Sequence, residues 1–176
     1  FEEEKVLIPE ERKIHILGEE ENSEESKSEI SIEFETPEGA KRPLALGFTP
    51  DNRATDGYDY GYDAKIYETL PNDMSLMINN ERYVIEGVGA FDADKRYPLG
   101  IFLNSEGQIE ISLQKLENFE NEINVYVYDA LLDSYAAIDT ETNYTASLVA
   151  DEYINRFYIT FSEEDNALSV DDDIIQ

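Results

Sequence analysis

Ser28-Glu-Ile-Ser-Ile-Glu-Phe-Glu35 places Ile30, Ile32 and Phe34 on one side of an extended chain and Glu29, Ser31, Glu33 and Glu35 on the other. Side chains along a strand point alternately to its two faces, so this period marks a strand with one buried and one wet face. The pattern recurs outward in both directions. Upstream, Lys13 to Leu17 sets Ile14 and Ile16 against His15. Downstream, Thr36-Pro-Glu-Gly39 is a turn signal, after which Leu44, Leu46 and Phe48 form the next short strand.

Lys65 to Tyr67 and Met74 to Ile78 read as further strands, split by Leu70-Pro-Asn-Asp73. Asn79-Asn80 predicts a tight hairpin turn, because asparagine accepts positive φ better than most residues. In the return strand, Tyr83 and Ile85 are expected on one face and Val84 and Glu86 on the other. Tyr97 to Leu103 is apolar enough for burial on both faces, while 109–114, 123–128 and 156–161 alternate again. Asp129 to Tyr135 is too short for an independent helix and predicts a hairpin bend.

About nine or ten short strands separated by turn clusters predict an all-β fold, an antiparallel two-sheet β-sandwich of jelly-roll type with acidic N- and C-terminal tails. The expected organisation is an acidic segment or edge strand over 1–10, the sandwich over 11–162, and an acidic linker over 163–176.

A chain of 176 residues suits one domain with a real core. Thirteen basic against forty-one acidic residues give a net charge of -28, a field that repels phosphate backbones and anionic lipid. Nucleic-acid partners and membrane insertion are therefore not expected. No apolar run approaches the roughly 20 residues of a membrane helix, and no signal peptide is recognisable, so the chain reads as a mature product or a fragment. With no cysteine, disulfides, thiolate catalysis and cysteine-ligated metals are excluded.

The chemistry concentrates in Thr49-Pro-Asp-Asn-Arg-Ala-Thr-Asp-Gly-Tyr-Asp-Tyr-Gly-Tyr-Asp-Ala64. Its proline and glycines oppose both helix and central strand, so an irregular, ordered loop is expected. Asp51, Asp56, Asp59 and Asp63 are candidate calcium ligands, since calcium takes several hard oxygens and clustered aspartates supply them. The alternative is that these aspartates cap backbone amides in successive turns and pair with Arg53 or Lys65. Tyr58, Tyr60 and Tyr62 are candidate ligand-binding residues that can stack on sugar rings, the alternative being half-buried packing on a wet face. No catalytic residue is singled out. His15 is the sole histidine and has no nucleophile signature beside it, and Gly57 and Gly61 lie among aspartates that would repel phosphate. Asn143-Tyr-Thr145 matches a glycosylation sequon, to which little weight attaches.

Ala54-Thr-Asp-Gly-Tyr-Asp-Tyr-Gly-Tyr-Asp-Ala64, then Arg82-Tyr-Val-Ile-Glu-Gly87, then Pro98-Leu-Gly100, resemble a β-sandwich domain of secreted Bacteroidota proteins. In that family the sandwich precedes the C-terminal sorting domain read by the type IX secretion system. Val125-Tyr-Val-Tyr-Asp129 and Asn155-Arg-Phe-Tyr-Ile-Thr-Phe161 resemble its last two strand motifs, so the resemblance spans about 12–161. Asp151 lies in the neighbourhood where the family usually has glycine, and the sorting domain is not among these residues, although Leu168 to Gln176 resembles the lead-in to it. The resemblance implies an extracellular or surface-displayed protein and names no ligand.

The expected function is therefore a non-catalytic structural or interaction module. Its expected partners are other domains or subunits of an extracellular assembly and, through the sorting domain, the type IX machinery. The alternative is a calcium-dependent glycan-binding or adhesin module using the 51–63 loop.

Overall fold

Ile30, Ile32 and Phe34 of Ser28–Glu35 are buried as their alternation requires, and the strand they define, β1, lies inside a sheet. The computed structural model describes residues 27–163. The expected segment 1–10, the strand at 13–17 with its His15, and the linker beyond 163 lie outside the described residues. The remaining strands are β2 (Lys41–Phe48), β3 (Ala64–Lys65), β4 (Asn72–Ile78), β5 (Glu81–Val88), β6 (Arg96–Leu103), β7 (Gly107–Glu117), β8 (Val125–Asp129), β9 (Ser134–Ile138), β10 (Tyr144–Leu148) and β11 (Glu152–Thr160). No described residue is helical, and among them no helix is long and apolar enough to cross a membrane.

The strands pair in the order β10-β7-β1-β2-β5-β4-β6-β11-β8-β9, with β3 added on β5. The two ends of this path, β9 and β10, touch each other, so the sheet nearly closes into a barrel-like shape. The all-β expectation holds; the wholly antiparallel one does not. β2 and β5 run parallel, Ala45 to Phe48 lying beside Ile85 to Val88. A parallel neighbour needs a long crossover, and residues 49–80, carrying the aspartate loop, β3 and β4, provide one.

Tyr83 pairs with Leu76 of β4 and Lys65 of β3, whereas Ile85 pairs with Ala45 of β2 and Ala64 of β3. Since β3 holds one edge of β5 at both Tyr83 and Ile85, β4 and then β2 occupy the other edge in succession. The pairing with β3 steps from Ala64↔Ile85 to Lys65↔Tyr83, which leaves Val84 as an extra residue, a β-bulge. An inserted residue turns every later side chain to the opposite face. Tyr83 is accordingly buried, Ile85 is 45% exposed, and Glu86 and Val88 are buried. The expected sharing of one face by Tyr83 and Ile85 is thereby corrected, Glu86 and not Ile85 lying on the buried side with Tyr83.

The hairpin turn at Asn79-Asn80 forms with φ of 51° and 65°, as asparagine permits. Asp129 to Tyr135 bends as expected, with Asp129 Oδ1 accepting from Leu131 N and Leu132 N. One end of the core is an aromatic cluster in which Phe48 meets Phe91, Tyr97, Phe119 and Phe161 edge to face, with centroids 5.2–5.9 Å apart.

Candidate functional site

The aspartate loop is held by its own short polar side chains. Thr49 donates its hydroxyl to Val88 O at 2.7 Å and accepts from Ala54 N. Asn52, in the left-handed region at φ 55°, accepts from Ala90 N at 2.9 Å. Asp59 accepts from both the amide and the hydroxyl of Thr55, and Asp63 Oδ2 accepts from Asp59 N. Asp63 Oδ1 accepts from Gly87 N at 2.8 Å. That last bond gives the loop a role in the sheet. Beyond β3, the outer edge of β5 presents an amide, and the Asp63 carboxylate satisfies it as a neighbouring strand's carbonyl would. Gly87 must be glycine, because a Cβ there would lie 2.8 Å from Tyr62 Cβ.

The four predicted aspartates are directed to different partners. Asp51 pairs with Arg53, Asp56 with Lys95 at 2.8 Å, and Asp59 and Asp63 with the amides just described. Among the described residues no three histidine, aspartate or glutamate groups converge as metal ligands. Lys65 takes Glu81, not a loop aspartate, at 2.7 Å. Nor does the loop gather its tyrosines into one platform. Tyr58 leans on Tyr83 at 6.1 Å, Tyr62 packs over Gly87 with the Lys27 ammonium 5.1 Å from its ring, and Tyr60 stands 90% exposed. Tyr67, which sequence reasoning did not single out, is 93% exposed.

Beneath the loop lies a group whose burial the sequence reading did not single out. Glu86 shares the inward face with Leu46, its register partner, and is 3% exposed. Its Oε2 and the hydroxyl of Tyr97 are both buried without a hydrogen-bond partner among the described residues. Burial, then the nearby Asp63 and Asp56 carboxylates, push the Glu86 carboxyl up to about 8. Burial, then Asp56, Glu86 and Asp92, push the Tyr97 hydroxyl up as well. Glu86 is thus a neutral acid at moderate pH, an available proton in an otherwise apolar layer. The signal in the sequence was slight: Gly87 and Gly89 follow directly, and glycine inside a strand often accompanies a bulge or close backbone approach.

The model of a family described as a domain of unknown function, DUF8693, matches residues 13–161. The chain belongs to that family. The match takes in every strand described above, the aspartate loop and Glu86, and begins ahead of Lys27, the first described residue. No curated protein and no solved structure matches the chain.

Because Asp63 serves two backbone amides, Asp63→Ala is expected to cost about 1–2 kcal/mol, the usual range for a lost cap or an orphaned amide. Amide exchange at Asp59 and Gly87 should accelerate together while β4 stays protected. Independent behaviour of the two amides would show that Asp63 does not join loop to sheet.

Proposed function

We propose that this domain is a non-catalytic structural and interaction module of a secreted or cell-surface-displayed protein of the Bacteroidota type. On this reading it is exported by the type IX secretion system through a C-terminal sorting domain and works with neighbouring domains or subunits outside the cell. One observation carries the structural role: the loop's carboxylates go to backbone amides and nearby cations, with Asp63 sealing the edge of β5. The motifs at 54–64, 82–87 and 125–129 support the assignment to exported proteins. The finer architecture on this reading is a jelly-roll-like two-sheet sandwich. One layer is β10-β7-β1-β2 with the C-terminal half of β5, the other is the N-terminal half of β5 with β4-β6-β11-β8-β9, and the bulged β5 passes between them.

A calcium-dependent glycan-binding or adhesin module is the second reading, favoured by one observation: Tyr60 and Tyr58 are 90% and 51% exposed on the loop, more than packing requires. Melting in millimolar calcium against an EDTA control separates the two, because a ligand of the native state raises the midpoint. The structural reading expects no shift and a silent glycan array. A calcium-dependent array signal abolished by Tyr60→Ala would replace it with the second.

A further inference from the structure

The outer face of the sheet has a gap beside the aspartate loop. Glu29 of β1, Gly47 of β2 and Gly87 of β5 stand in one row across three strands, because Gly47 is the register partner of both others. Ser31, Ala45 and Ile85 form the next row. Tyr62 fills the space above Gly87, so the first row runs from a carboxylate over bare backbone to an aromatic ring. Its ends are two strand spacings apart, about 10 Å. Packing does not require glycine at position 47. Its φ lies outside the left-handed region, and a Cβ there would meet only Ser28 O, at 4.0 Å. The missing side chain instead opens a cavity of about 330 Å³ whose lining includes Glu29, Gly47, Tyr62, Ile85 and Gly87.

The groups around Gly47 suit a flat cation. Among the described residues Glu29 accepts only from the Ser31 hydroxyl, at 3.4 Å, and has no basic partner. The Tyr62 ring already attracts one cation, the Lys27 ammonium 5.1 Å from its centre. A net charge of -28 draws basic partners and repels acidic ones. We propose that this cavity receives an arginine side chain from a basic segment of a neighbouring domain or subunit, its guanidinium lying on Gly47 between the Glu29 carboxylate and the Tyr62 ring. This rests on the reading of the domain as an interaction module and gives the module's partner a chemistry. Planarity selects arginine. A guanidinium fits against bare backbone, stacks on an aromatic ring and offers a carboxylate two donors, whereas a lysine is a point charge. Phosphate is opposed by Glu29 and Asp63, and an uncharged apolar ring would desolvate the Glu29 carboxylate without serving it. Lys27 is exposed, and its flexible stem lets it yield the ring face.

The probe is acetyl-Gly-Arg-Gly-amide, titrated into the full chain and followed at the Gly47 and Gly87 amides and the Ile85 methyl groups. Saturable shifts confined to these residues are expected, with a dissociation constant of about 1 mM, as suits one side chain. The citrulline counterpart, alike in shape but uncharged, should bind at least about tenfold more weakly. Gly47→Val puts a strand-favouring side chain into the open space, so the melting midpoint should match the parent's while the shifts vanish. Glu29→Gln leaves the floor intact and should weaken binding about tenfold, the loss of one charge-assisted pair; it decides the matter if valine disturbs the strand. Shifts scattered over the acidic surface, an equal response to citrulline, or full affinity in either folded variant overturns the proposal. So does no response at about 10 mM peptide. Any of these results leaves the module reading standing, which the calcium melts and the glycan array test on their own.

Discussion

Glu86→Gln is expected to leave stability near pH 5 within about 1 kcal/mol of the parent and to raise it at pH 9 by about 3 kcal/mol. Folding moves this carboxyl from an ordinary value of 4.5 to about 8. The native state therefore holds a proton that the unfolded state releases. Stability is fully present below the unfolded value and is lost as pH rises toward the folded one. The interval sets an upper bound of roughly 5 kcal/mol, which relaxation and water entry reduce to about 3. Glutamine keeps the neutral shape and carries no charge beside Asp63 and Asp56. Urea melts at several pH values read the result directly. A variant whose stability falls between pH 5 and 9 as steeply as the parent's would show that Glu86 is not the titrating group.

Asp73→Ala is expected to cost about 3–5 kcal/mol, the range for breaking a buried ion pair from one side. Asp73, on β4, is 0% exposed and accepts from Arg42 of β2 at 2.9 and 3.1 Å and from Arg82 of β5 at 3.0 Å. It also accepts from Leu70 N and Met74 N, each at 3.0 Å. The cluster thus ties β2, β4 and β5 together where β2 and β4 part along the same edge of β5. The Arg82 guanidinium lies 3.9 Å from the centre of the Phe102 ring, which fixes its orientation. Removing the carboxylate would strand two guanidinium groups and two amides. The triple variant Arg42→Met/Asp73→Leu/Arg82→Met removes all three charges and should recover only part of the loss, since the Leu70 and Met74 amides remain unserved. Equal stability of the parent and Asp73→Ala would show that the cluster does not hold the junction.

The Asp129–Arg156 pair makes the same kind of contact between β8 and β11, with bonds of 2.9 and 2.8 Å. In both cases the carboxylate is as deeply buried as the core leucines, and one partner, Arg42 for Asp73 and Arg156 for Asp129, comes from a distant part of the sequence. Nothing local in the sequence distinguished Asp73 or Asp129 from the other acids.

The loop was legible as a loop, and its aspartates as amide caps among two open readings. That Asp63 reaches Gly87 was not legible, because the contact depends on β5 passing beneath. β9 and β10 also escaped notice: each is only five residues long, and although Tyr144, Ala146 and Leu148 of β10 share one face against Thr145 and Ser147, so short a run carries little of the period.

Sequence alone determined most of the strands, though not β9 or β10, together with the Asn79-Asn80 turn, the irregular loop and the apolar faces of β1, β2 and β7. These depend on dihedral preferences and a period of two, which a few adjacent residues carry in full. Tertiary structure decided the parallel β2–β5 pair, the bulge at Val84 with Glu86 turned inward, and the burial of Asp73 between two arginines. Those features depend on which distant segments meet, and a bulge becomes visible only against the strand it is paired with.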